Sequence, residues 1–169
     1  IDPRFQTLGD LCRVHAPRRP DHPALVFEDR TTTWAAFDRQ TNQVAQQLLA
    51  TGLAPQSRIA YLGKNCDRFF DVYLGAAKAR MVLVPVNWRL APDEIAFILK
   101  DAEARILFVG ADYLPLVEGL RQAVPGLQAV IAMDGAHPGC QAFTDWRDAG
   151  DATDPSLPAD SEEVALQLY

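Results

Sequence analysis

Two short turns carry side chains whose type and spacing could bind a ligand. Gly63-Lys64-Asn65 lies between an apolar run and a helical pattern, where successive backbone N–H groups can form a nest for an anion. The plainer reading has Gly63 making a tight turn, Asn65 capping the helix and Lys64 solvated, and the residues alone favour it. Asn87-Trp88-Arg89-Leu90 follows the next apolar run, and an aromatic ring beside a guanidinium can serve a nucleotide through stacking and a phosphate contact. Trp88 reads first as a packing anchor, because its ring covers so much area. His15, His22 and His137 stand in Pro- or Ala-flanked segments and read as surface histidines. The chain has no GxGxxG, GxxxxGK[ST], GxSxG or HExxH motif. No complete catalytic site is legible, so the function is expected to belong to a larger protein.

The elements that must position these turns follow from periodicity. Residues 59–62, 82–86, 106–109 and 129–132 are short apolar runs separated by segments long enough for crossover helices. None alternates strictly with polar residues, as expected of strands in a parallel sheet covered on both faces. Helices are predicted at 67–80, 92–102 and 112–124, the first apolar around most of its circumference and therefore buried. Pro92 suits a first helical position, where its missing N–H costs nothing, and Asp93 and Glu94 follow at the positive helix end. Upstream, a cap helix over 7–15 closed by the proline-rich 17–23 stretch is followed by a hairpin of 24–28 and 31–33. A one-faced helix then starts behind Thr33 and ends at Gly52 and Pro55. The predicted division is an α/β unit over 1–132, a variable loop over 133–163 with one helical turn near Phe143, and a strand over 164–169.

The 169 residues suit one domain, which at this size buries roughly 70% of its unfolded surface. A net charge of −6 argues against a nucleic-acid surface. Mean hydropathy is −0.08, and the most apolar stretch, 81–86, is far shorter than the roughly 20 residues a membrane span needs. Cys12, Cys66 and Cys140 lack zinc-site spacing and read as reduced, buried thiols of a cytoplasmic protein.

Residues 62–109 resemble the N-terminal portion of the adenylate-forming enzymes, which include acyl-CoA synthetases, luciferases and peptide-synthetase adenylation domains. The likeness rests on Asn65, Gly75-Ala76-Ala77-Lys78-Ala79, Pro85-Val86-Asn87 and Leu90 with Glu94, supported by Thr33-Trp34, Val44-Ala45 and Leu48. Asn87-Trp88-Arg89-Leu90 is similar to the acyl-CoA synthetase branch, which implies a fatty or aryl acid substrate. The resemblance implies activation of a carboxylate by ATP with Mg to an acyl-adenylate, then transfer to the thiol of coenzyme A. It implies an N-terminal α/β subdomain that works with the rest of its own chain, and it leaves homo-oligomerisation open. It places the phosphate loop, the adenine and ribose contacts and the catalytic lysine outside these residues, so the catalytic set here is empty and the fragment is expected to be inactive. Arg89 matches an arginine that in some relatives lies near the coenzyme A phosphates. Arg80 departs from the family pattern, which commonly has Gly there. The rival readings are a free-standing flavodoxin-like nucleotide-binding module, for which Gly63-Lys64-Asn65 is a poor phosphate turn, and a response-regulator-like domain, disfavoured because no acidic pair follows the first strand of the repeat.

Overall fold

The computed structural model describes residues 4–158 and 160–169. Its elements run α1 (Asp10–Arg18), β1 (Pro23–Phe27), β2 (Arg30–Thr33), α2 (Trp34–Ala50), β3 (Arg58–Leu62), α3 (Asp67–Lys78), β4 (Val82–Val86), α4 (Pro92–Asp101), β5 (Ile106–Val109), a 3-10 segment (Ala111–Leu116), α5 (Val117–Ala123), β6 (Ala129–Ala132), β7 (Gln141–Ala142) and α6 (Phe143–Asp148). β1 and β2 form an antiparallel hairpin, and the other five strands make one parallel sheet in the order β4-β3-β5-β6-β7. The expected parallel α/β architecture is thus present.

Each central strand feeds two cores at once. In β3, Ala60 and Leu62 face the α4/α5 side with Val84, Val86, Leu107 and Val109, while Ile59 and Tyr61 face the α2/α3 side with Leu83, Ile106 and Phe108. Successive side chains of a strand point to opposite faces, so a sheet covered on both sides must be apolar at every position. All four residues of β5 are buried for this reason.

The helix ends follow local chemistry. Thr33 Oγ1 accepts the Ala36 N–H at 3.3 Å to start α2, and Gly52 follows its end at φ +73°. Glu94 reaches back to accept the Ala91 N–H at 2.8 Å at the start of α4. Gly75 of α3 lies so close to α2 that a Cβ there would stand 2.5 Å from Val44 Cγ1.

Several expectations need correction. α1 runs on through Pro17 to Arg18, because a proline in the last turn forfeits only one N–H bond. The third crossover helix is not continuous: Pro115 cannot donate to the preceding turn, so residues 111–116 wind as 3-10 before α5 begins. α3 is not buried all round; Phe70 is 41% exposed, whereas the polar Asp71 and Lys78 are buried. Residues 133–163 carry more than the helical turn expected near Phe143. They add β7 to the sheet edge and α6 beneath it, where Phe143 is fully buried against Phe108 and Trp146. Beyond α6 the chain is pinned to α1 and α2 through Gln46 to Thr153 O (2.8 Å), Asn42 to Ala152 O (3.0 Å) and a two-pronged Arg13–Asp154 pair (2.6 and 2.9 Å).

Residues 164–169 make one parallel bridge to β4, Leu83 to Leu166, and no longer ladder. Leu83 N–H donates to Ala165 O and Gln167 N–H to Leu83 O. In a parallel ladder the next donor on this edge would be the N–H of residue 85, which is proline, so the pairing stops.

Candidate functional site

Strand order places the site. β3 connects outward to β4, the chain then crosses back past β3 to β5, and β5 continues in the opposite direction to β6. Connections therefore diverge between β3 and β5, and in open α/β sheets ligands bind beyond the carboxyl ends of the strands at that divergence. A crevice of about 270 Å³ opens there, lined in part by Tyr61, Lys64, Cys66, Asp112 and Asp134.

Both sequence-derived turns converge on this edge. Lys64, exposed, donates to Asp112 at 2.7 Å across the divergence. Its ammonium lies 5.7 Å from the centre of the Trp88 ring, and the Arg89 guanidinium lies over the same ring at 3.9 Å. The half-buried Trp88 packs against the α4/α5 core and lies 6.3 Å from Tyr113. Arg89 is exposed, with its backbone N–H donated to Asn87 Oδ1 at 3.1 Å, which tightens the turn after β4. Trp88 is thus both a packing anchor and a platform bearing two cations. Such cation–π contacts are weak at exposed positions.

The turn after β3 departs from expectation. Cys66, extended at φ −152°, takes the position before α3, and Asn65 stays exposed without capping it. Gly63 is buried against the Tyr61 ring, where a Cβ would stand 3.2 Å from it. Tyr61 hydroxyl donates to Lys64 O at 3.0 Å, and burial pushes its pKa well up, with Cys66 adding to the effect. Asp112 holds the Lys64 ammonium in its charged form and raises its pKa. At the α3 start, a two-pronged bond from Arg30 lowers the Asp67 carboxyl, which faces the positive end of the helix.

The histidines are not in this crevice. His15 is half-buried between Phe5 (5.6 Å) and Trp34 (4.6 Å), a packing role that its loop-like context concealed. All three cysteines are free thiols, but only Cys12 is buried. Among the described residues, no group of three or more His, Cys, Asp or Glu is placed to hold a metal ion. Sequence reasoning missed Asp112 and Tyr113, which belong to the crevice only through the pairing of β3 with β5; neither stood in a motif.

An open parallel α/β sheet with its working edge at the carboxyl ends of β3, β4 and β5 defines the class. The model of the AMP-binding enzyme family matches residues 12–169, and the chain belongs to that family. It is 38% identical over 169 residues to the fatty acid–[acyl-carrier-protein] ligase ScoC of Streptomyces coeruleorubidus, covering 99% of this chain and 31% of that protein. It is 33% identical to the long-chain-fatty-acid–CoA ligase FadD13 of Mycobacterium tuberculosis, covering 96% of this chain and 30% of that protein. The anthranilate CoA ligase AuaEII, solved with anthranoyl-AMP, superposes with a TM-score of 0.90 at 26% identity, over 97% of this chain and 32% of that one. The chain therefore spans about a third of the length of these relatives. Among the described residues, no helix is long and apolar enough to cross a membrane.

Proposed function

We propose that this chain is the first α/β portion of an enzyme that joins a carboxylic acid to coenzyme A through an acyl-adenylate, using ATP. The observation that carries the reading is the pair of cations on Trp88, placed at the carboxyl edge where this class of sheet binds ligands. Coenzyme A presents phosphates on its nucleotide end. Arg89 supplies a fixed fork of donors for one of them, and Lys64, tethered by Asp112, supplies a point charge beside it. Neither group polarises a reacting atom, so their contribution lies in binding the acceptor and not in forming the adenylate. The relatives named as acid–CoA ligases support this reading, as does the neighbour bound to an acyl-AMP. The chain alone is expected to be inactive.

A second reading, favoured by the ScoC likeness, keeps the adenylate and makes the acceptor a carrier-protein thiol. One experiment separates the two. In the enzyme containing this chain, Arg89→Ala should raise KM for coenzyme A on the order of 10-fold or more, as expected for losing a charge-assisted phosphate contact, while ATP–pyrophosphate exchange stays unchanged. Unchanged thioester kinetics would overturn the Arg89 assignment. Turnover with a carrier protein and none with coenzyme A would select the second reading.

A further inference from the structure

The 3-10 segment after β5 touches both the ring and one of the cations at the carboxyl edge. With three residues per turn, side chains three apart share a face. Asp112 and Pro115 are accordingly exposed, while Tyr113 and Leu116 are half-buried on the α4/α5 core. Two consecutive residues therefore serve different neighbours. Tyr113 meets the Trp88 ring at 6.3 Å and an interplanar angle of 43°, and Asp112 accepts a bond from the Lys64 ammonium at 2.7 Å. The segment is anchored where it begins. Gly110 N–H donates to Leu62 O at the end of β3 (2.9 Å), and Ala111 N–H donates to Asp134 Oδ2 beyond β6 (3.0 Å). Pro115 keeps the segment wound as 3-10 and not as a first turn of α5, which fixes the directions of Asp112 and Tyr113.

The Lys64–Asp112 pair does little for the fold. Both side chains are 62% exposed, and an ion pair in that setting adds little to stability. What it changes is the position of a charge. Lysine carries its ammonium on a flexible four-carbon stem, and a ligand that uses an untethered one must first order it. Held by Asp112, the ammonium already stands 5.7 Å from the centre of the Trp88 ring, over which the Arg89 guanidinium lies at 3.9 Å. The carboxylate also repels an incoming phosphate, but between exposed groups salt screens that repulsion within about 8 Å, and the two cations still outnumber it. Ordering of the ammonium is the larger effect.

Building on the roles assigned above to Arg89 and Lys64, we propose that Asp112 and Tyr113 are positioning residues for coenzyme A. Asp112 presets the Lys64 ammonium beside Arg89, and Tyr113 fixes the Trp88 ring that both cations face.

Steady-state kinetics of the enzyme containing this chain test it, with coenzyme A varied and ATP–pyrophosphate exchange measured alongside. Asp112→Asn should raise KM for coenzyme A about 2- to 5-fold, with kcat and exchange at the parent values. Asp112→Glu, which restores the carboxylate, should recover most of that loss. In a Lys64→Met background Asp112→Asn should raise KM no further, because no ammonium is left to place. Tyr113→Ala should raise KM in the same range, and Tyr113→Phe, which keeps the ring contact, should recover it. Arg89→Ala without effect on KM would remove the underlying reading itself. With the Arg89→Ala effect present, an unchanged or lowered KM in Asp112→Asn or Tyr113→Ala would overturn the positioning role and leave that reading standing. So would losses of Asp112→Asn and Lys64→Met that simply add, or an equal loss of exchange, which would mark a merely structural part.

Discussion

Replacing Lys78 with methionine should be among the most damaging single changes in this chain. The Lys78 ammonium is fully buried, and all three of its donors are used on α2: Asp38 Oδ1 at 2.7 Å, Thr41 Oγ1 at 2.9 Å and Asn42 Oδ1 at 2.6 Å. Thr41 and Asn42 are themselves buried, so water cannot replace the lost donors without opening the α2–α3 contact. Methionine keeps the aliphatic stem but leaves a carboxylate, a hydroxyl and an amide oxygen facing it. Removing one member of a buried ion pair costs about 3–5 kcal/mol, a large share of the 5–15 kcal/mol that holds a domain together. At this chain length that corresponds to a Tm lowered on the order of 6–20 °C. The measurement is urea unfolding followed by circular dichroism, with Lys100→Met on the exposed face of α4 as a control expected within about 0.5 kcal/mol of the parent. The reasoning also requires coupling: once Lys78 is gone, Asp38→Asn should cost less than it does alone, by about 1 kcal/mol or more. A Lys78→Met loss below about 1 kcal/mol, or additive behaviour with Asp38→Asn, would refute it.

Gly75→Ala should cost about 1–3 kcal/mol by driving α2 and α3 apart, and Val44→Ala should recover part of that loss in a double-mutant cycle by calorimetry. Burial pushes the Asp71 carboxyl up to about 7, against the opposing Arg147 guanidinium at 3.2 Å. Between its ordinary value and about 7 the native chain holds a proton that the unfolded chain has released. This group's contribution to stability is therefore present at pH 4 and lost as the pH rises through 7. Asp71→Asn should remove that slope, so urea midpoints at pH 5 and pH 8 should show the variant gaining on the parent at the higher pH. A constant difference would mean that Arg147 keeps Asp71 ionised throughout.

The repeating frame was legible because its signals are local. Four apolar runs, Thr33 before α2, Pro92 in α4 and Gly52 after α2 each act within a turn or two of themselves. What was hidden depends on contacts distant in sequence. Lys78 appeared only as one letter of a family motif, since nothing nearby reveals that Asp38, Thr41 and Asn42 meet it from another helix. Residues 133–163 are rich in turn formers, and their order comes from Phe143 reaching Phe108 and from α2 side chains gripping the backbone past α6. The Gly63-Lys64-Asn65 and Asn87-Trp88-Arg89 turns could each be singled out from sequence. Their meeting on one indole ring needed the strand order.

Pro85 has a consequence for the whole molecule. The outer edge of a sheet is where another polypeptide could add itself strand by strand, and continued addition is the route to aggregates. Here that edge offers the Leu83 N–H and then no further donor until the strand ends, so an incoming chain would find half of the next rung missing. The residue that limits residues 164–169 to a single bridge also makes β4 a poor template for self-association.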